Sequence, residues 1–144
     1  MHLTDDQIRE ISTRVEAENL PGDLADVATF IGEYPALLLA YKIGGVVIYL
    51  RKWNDDQSLW SDEIKLWVEV VGLDNTATIV RLFDGDYINI PKCESLFLKY
   101  RNELIRNEAS SKTKAELARD HSLSDRHIKR IKNAVHDDRQ NSLF

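Results

Sequence analysis

The chain has one cysteine, Cys93, among its 144 residues, which excludes a disulfide framework and suits a reducing cytoplasm. No apolar run approaches the roughly 18 residues a membrane span needs, and the acidic, polar start does not read as a signal peptide. The four histidines, His2, His121, His127 and His136, stand with Cys93 at none of the spacings of a zinc site. Glycine is scarce, at 6 residues, and none of it forms a phosphate-cradling loop or a nucleophile elbow. No catalytic residue, metal ligand or cofactor is expected, and nothing argues for an enzyme.

What is present is a core and an uneven charge. Hydrophobic residues make up 43% of the chain, enough for one compact domain or two small ones. The net charge of −5 conceals a contrast: residues 1–91 hold 7 Lys and Arg against 16 Asp and Glu, whereas residues 92–132 hold 11 against 6. An acidic partner-binding half and a basic, DNA-reading half produce that asymmetry. Phosphate repels the first and attracts the second.

The basic part contains the most informative stretch, residues 113–132. Thr113 with Glu116 makes a capping box, and Ser124 followed by Asp125 makes a second helix start. Leu117 and Ala118 fall inside the first helix, Leu123 in a three-residue turn, and Ile128, Ile131 and Val135 at helical spacing on the second. Ala118 is small where the two helices cross. The face opposite Ile128 and Ile131 carries Arg126, Lys129, Arg130 and Asn133, with His127 beside them. Such donors match guanine N7 and O6, adenine N7, or phosphate, so the pair reads as a helix-turn-helix whose second helix enters a DNA major groove. Arg126, His127 and Arg130 are assigned to base edges, Lys129 and Asn133 to the groove wall, and Thr113, Lys114 and Ser124 to phosphate. The turn carries no glycine, so Ser122 or His121 is expected to take a positive φ.

The acidic part holds an internal repeat with a period of 40 residues, 23–52 and 63–92. Gly32 matches Gly72, Gly45 matches Gly85, Ile48 matches Ile88 and Lys52 matches Lys92. Each copy parses as helix, helix, strand. The first helix (Leu24, Val27, Ala28, Ile31; then Ile64, Trp67, Val68, Val71) stops at a glycine. The second opens at Pro35 in one copy and at Asn75 in the other, and the strands are 46–50 and 87–90. A unit of this size cannot cover its helices and satisfy a lone strand, so the strands pair within one chain or across two. The across-chain arrangement is favoured, because one reader seldom supplies enough specificity.

Flanking segments complete the chain. Ile8, Ile11 and Val15 mark an N-terminal helix over 5–18. Trp60 and Trp67 fall seven apart on one expected helix, as core or dimer interface. A helix over about 96–108, with Phe97, Tyr100 and Leu104 inside and Lys99, Arg101 and Arg106 outside, packs across the helix-turn-helix.

From Glu63 to Lys132 the chain resembles the Mor transcription activator family of phages and prophages. The resemblance is carried by Gly85, by Tyr87, Ile88, Asn89, Ile90, Pro91, Lys92 and Cys93, by Tyr100, Arg101, Asn102, Ile105 and Arg106, and by Ala115, Glu116, Leu117, Ala118, Leu123, Ser124, Ile128 and Ile131. It implies a homodimeric activator that binds double-stranded DNA at an imperfect dyad near the −35 region of a phage promoter. It also implies that the protein recruits host RNA polymerase in the bacterial cytoplasm. Strand residues near the two-fold axis then approach the minor groove, which implicates Tyr87 and Asn89.

The fold expected is mainly α with short β-strands. Residues 1–22 form an N-terminal helix, 23–92 a tandem helix–helix–strand repeat for dimerisation, 93–135 a three-helix helix-turn-helix domain for DNA binding, and 136–144 a flexible tail. Two alternatives stand beside the activator. One is a repressor of the same fold; the other is a protein-interaction module that uses the acidic half and leaves DNA alone.

Overall fold

The computed structural model describes residues 1–134; Val135, His136 and the rest of the expected tail lie outside the described residues. The chain forms two compact units, one of residues 5–94, the other of residues 1–4 together with residues 95 onward. Among the described residues there are eight α-helices and one two-stranded antiparallel sheet, the mainly helical class with short strands that the sequence predicts.

In the first unit, α1 (Asp5–Ser12) buries Ile8 and Ile11 as their spacing requires. It ends well before residue 18. Ser12 and Thr13 turn their hydroxyls back to the carbonyls of Arg9 and Glu10, an arrangement that competes with continuing the helix. Val15 is left half-buried beyond it.

Helix, helix and strand then follow twice: α2 (Leu24–Ile31), α3 (Glu33–Ile43) and β1 (Val46–Tyr49), then α4 (Asp62–Val71), α5 (Leu73–Leu82) and β2 (Tyr87–Ile90). A single glycine both ends the first helix and starts the second in each case. Gly32 sits at φ 97° and Gly72 at φ 92°, where residues with a Cβ rarely go. The second helices therefore begin directly after the glycine rather than at Pro35 or Asn75. Pro35 costs no hydrogen bond in the first turn, where N–H groups have no intrahelical acceptor. Asn75 instead donates its Nδ2 to the Val71 carbonyl at 3.0 Å.

α3 buries Ala36, Leu37, Leu38, Leu39 and Ala40 in succession because α1, α2 and α4 all pack on it. A helix covered on several sides is apolar all round. Trp67 is buried on α4, as core. Trp60 is a correction: it follows a 3₁₀ turn (Gln57–Leu59) ahead of α4, lies 5.3 Å from Trp53, and donates Nε1 to the Asn54 carbonyl. The loop around it is organised by Asp56, which accepts from Ser58 N and Oγ; those bonds hold its carboxyl below the usual carboxylate range.

The strands pair with each other inside one chain, which corrects the favoured across-chain pairing. Val46 faces Ile90, Val47 faces Asn89, Ile48 faces Ile88 and Tyr49 faces Tyr87. Ile88 and Ile90 point into the core, while Val47, Tyr49 and Tyr87 point to solvent, with the two tyrosine rings in edge contact at 5.2 Å. The Asn89 N–H donates to the Asp23 carboxylate at 2.6 Å.

α6 (Glu94–Glu108) starts directly after Cys93, which sits at φ 54°. Partial burial pushes the Cys93 thiol up to about 11, so it stays protonated at neutral pH. The inner row of α6 is Phe97, Arg101 and Ile105, not Phe97, Tyr100 and Leu104, which leaves the last two half-buried. Both rows obey helical spacing, and packing selected the one whose arginine lays its aliphatic stem inward. Arg101 therefore moves from the outside to the inside. Its Nε and Nη2 donate to Asn102 Oδ1 at 3.2 and 2.9 Å, and loss of solvent lowers its pKa. Arg106 also turns inward, donating Nε to the Ile131 carbonyl at 3.1 Å.

Candidate nucleic-acid interface

Two short helices in the second unit are set by their caps. α7 (Lys114–Asp120) starts at a complete capping box: Thr113 Oγ1 accepts from Glu116 N, and the Glu116 carboxylate accepts from Thr113 N and Oγ1. α8 (Asp125–Asn133) starts where Ser124 Oγ accepts from His127 N at 3.1 Å, with Asp125 in the favoured first turn. His121, Ser122 and Leu123 connect them, and the Leu123 N–H returns to the Ala118 carbonyl at 2.8 Å.

The tightness of that turn falls on Ser122, at φ 54°. A left-handed residue other than glycine costs about 1–2 kcal/mol, partly offset by the extra chain entropy glycine loses on folding. Ser122→Gly is therefore expected to stabilise this unit by about 0.5–1 kcal/mol, read as a higher denaturant midpoint. A lower midpoint would show that Ser122 is held by something glycine cannot replace.

Leu117 and Ala118 from α7 and Ile128 and Ile131 from α8 close on Ile105 of α6, with Ala109 and Leu123 packed against them. Arg106 holds the far end of α8: its guanidinium donates to the Ile131 carbonyl, which otherwise accepts only the long 3.3 Å bond from the Ala134 N–H at the end of the helix. Lys112 ties α6 to α7, at 2.8 Å from Glu108 and 3.0 Å from Asp120. Those bonds raise the Lys112 pKa, and Lys112 holds the Asp120 carboxyl below its ordinary range. His121 is buried at the turn, its Nε2 3.6 Å from Glu108 Oε1 and neither ring nitrogen hydrogen-bonded.

This packing decides what α8 presents. Arg126, Lys129, Arg130 and Asn133 are all exposed and, with Ala134, line one shallow concavity of about 380 Å³. His127 is half-buried and does not line it. The lining is cationic and rich in N–H donors, without a carboxylate, and fits an anionic or acceptor-rich surface. Lys114 and Ser124 are exposed at the two helix starts. The Thr113 hydroxyl is bonded in both directions to Glu116, which leaves it no proton for another acceptor. Tyr87 and Asn89 belong to the other unit, on the solvent face of its sheet. The contact of Arg106 with the Ile131 carbonyl of α8, and the tie that Lys112 makes between α6 and α7, were not foreseen. No periodic signal connects an arginine to a carbonyl 25 residues further along the chain.

No group of His, Cys, Asp and Glu among the described residues is arranged to hold a metal ion. No described helix is long and apolar enough to cross a membrane. The family model of the Mor transcription activator family matches residues 59–143, which take in α4, α5, β2 and everything after them. No curated protein and no solved structure matches the chain.

Proposed function

The chain belongs to the Mor transcription activator family, a regulatory and non-enzymatic family, and from that premise we propose that it is a sequence-specific DNA-binding activator of a phage or prophage promoter that recruits RNA polymerase in the cytoplasm of a bacterial host. The observation that carries this reading is the concavity on α8, where Arg126, Lys129, Arg130 and Asn133 converge opposite a face anchored by Ile128 and Ile131. In this assignment α7 and α8 are a helix-turn-helix and α8 lies in the major groove. Arg126 and Arg130 read base edges, Lys129 and Asn133 line the groove wall, and half-buried His127 reaches the DNA only at its margin. Lys114 and the Ser124 hydroxyl meet phosphate. Thr113 contributes by fixing the start of α7. Tyr87 and Asn89 keep the minor-groove role that the resemblance implies.

Fluorescence-anisotropy titration of the full chain against selected and random duplexes, at several salt concentrations, tests this. Log K is expected to fall linearly with log[salt], with a slope of magnitude about 3–5 for the few phosphates that one reader neutralises. Absence of binding at low salt would remove the DNA reading and promote the acidic half as a protein-interaction surface. In vitro transcription with bacterial RNA polymerase then separates activation from repression by the sign of the change. The paired arrangement of two chains on a dyad remains the resemblance's implication, and strand pairing inside one chain weighs against it.

A further inference from the structure

We propose that this chain is a dimer folded into one polypeptide: its first helix–helix–strand unit occupies the place of a second subunit, so each assembled molecule carries one α7–α8 reader instead of two.

The argument begins with symmetry. With the period of 40 residues, Ile48 and Ile88 are equivalent positions, and they face each other directly across the antiparallel ladder. A residue pairs with its own equivalent only where a two-fold axis passes through the pair. The flanking bonds obey the same axis: Gly45 N donates to the Ile90 carbonyl at 2.7 Å, and Gly85 N donates to the Leu50 carbonyl at 2.9 Å. Adding 40 to the first donor gives the second, and subtracting 40 from the first acceptor gives the second acceptor. Helix packing repeats the pattern, since α2 packs on α5 and α3 packs on α4. The equivalence also reaches further back than the sequence signal. The 3₁₀ turns Ala17–Asn19 and Gln57–Leu59 lie at the same offset, with no residue identity between them to reveal it.

The family match is compatible with this reading. It begins at residue 59 and so spans one helix–helix–strand unit with one α7–α8 pair, while α2, α3 and β1 precede it. The strand that a lone unit would need from another molecule is supplied from within the chain. A covalently linked strand is present at an effective concentration of about millimolar, so it outcompetes the same strand on a second chain at micromolar protein. On the outer edge of β2, the Asn89 N–H is already taken by Asp23.

The consequence for function rests on the DNA reading above. A molecule with one reader recognises a single, directional half-site, and polymerase meets it in one orientation only. A symmetric pair of readers would instead demand a dyad.

The test uses the full chain and does not require DNA. Val47 and Asn89 are directly opposed and on the solvent side of the sheet. Cross-strand neighbours of that kind fall within disulfide reach. In the Val47→Cys, Asn89→Cys, Cys93→Ser variant, oxidation is expected to close a loop inside one chain, giving a faster-migrating monomer on a non-reducing gel. Covalent dimers would overturn the proposal. Light scattering of the unaltered protein over a micromolar dilution series is expected to give the mass of one chain, 16.6 kDa; twice that mass would overturn it, whether or not the variant folds. Sequence selection is expected to return a site without dyad symmetry, and a palindrome would overturn the single reader. Failure of the DNA reading has a different signature, a monomeric protein that binds no duplex at all.

Discussion

Replacing Arg130 by Ala is expected to weaken binding to the preferred duplex by about 1–3 kcal/mol, a loss of roughly fivefold to 150-fold, and to leave binding to random duplex much less changed. The side chain is exposed on the basic face of α8 and lines the same concavity as Arg126, Lys129 and Asn133. A guanidinium placed there matches the paired acceptors of a guanine edge, and the loss then depends on sequence. Lys114→Ala is the companion measurement. A phosphate contact carries no sequence information, so binding should weaken uniformly and the salt slope should fall by about one. Equal loss on all sequences for Arg130→Ala would reassign Arg130 to the backbone. Because Arg130 is exposed, its removal should change folding stability by no more than about 0.5 kcal/mol, which circular dichroism checks.

Ile128→Ala is expected to cost about 2–5 kcal/mol of stability in the unit that contains α7 and α8. Ile128 has no exposed surface and closes on Ile105, Leu117, Ala118 and Ile131. With so few residues in that cluster, the cavity has little to collapse onto it. The stability of a whole domain is of the order of 5–15 kcal/mol, so a loss of this size takes much of what holds α8 in place. Denaturant unfolding followed by far-UV circular dichroism should show an early transition, and specific DNA affinity should fall with it. A cost under about 1 kcal/mol would mean that α8 is anchored elsewhere, with Arg106 and the Ile131 carbonyl the first place to look.

The candidate interface was legible in the sequence to the extent that its causes are local. Thr113 with Glu116, and Ser124 with His127, make bonds three residues apart, and those bonds start α7 and α8 where the residue types predict. The basic face of α8 follows from helical periodicity alone. Ser122 took the positive φ because the three-residue turn needs one and no glycine is there. Thr113 was assigned to phosphate because a hydroxyl at a helix start is a plausible donor; the sequence did not reveal that Glu116 occupies it in both directions.

By itself the sequence determined the order of helices and strands, the caps at Thr113 and Ser124, the glycine breaks at Gly32 and Gly72, which face of α8 is basic, and the family to which residues 59–143 belong. Each of these depends on neighbours within a few residues, so the physics is readable along the chain. Only the tertiary structure decided that β1 pairs with β2 of its own chain, that Arg101 and Ile105 are buried on α6 while Tyr100 and Leu104 stay half-buried, that Arg106 reaches the Ile131 carbonyl, and that Trp60 leaves the helix to meet Trp53. A strand offers the same edge to a partner in its own chain or in another, and a helix with two admissible rows has no local preference between them. Those choices are made by packing against distant residues and by the entropy of bringing the partners together.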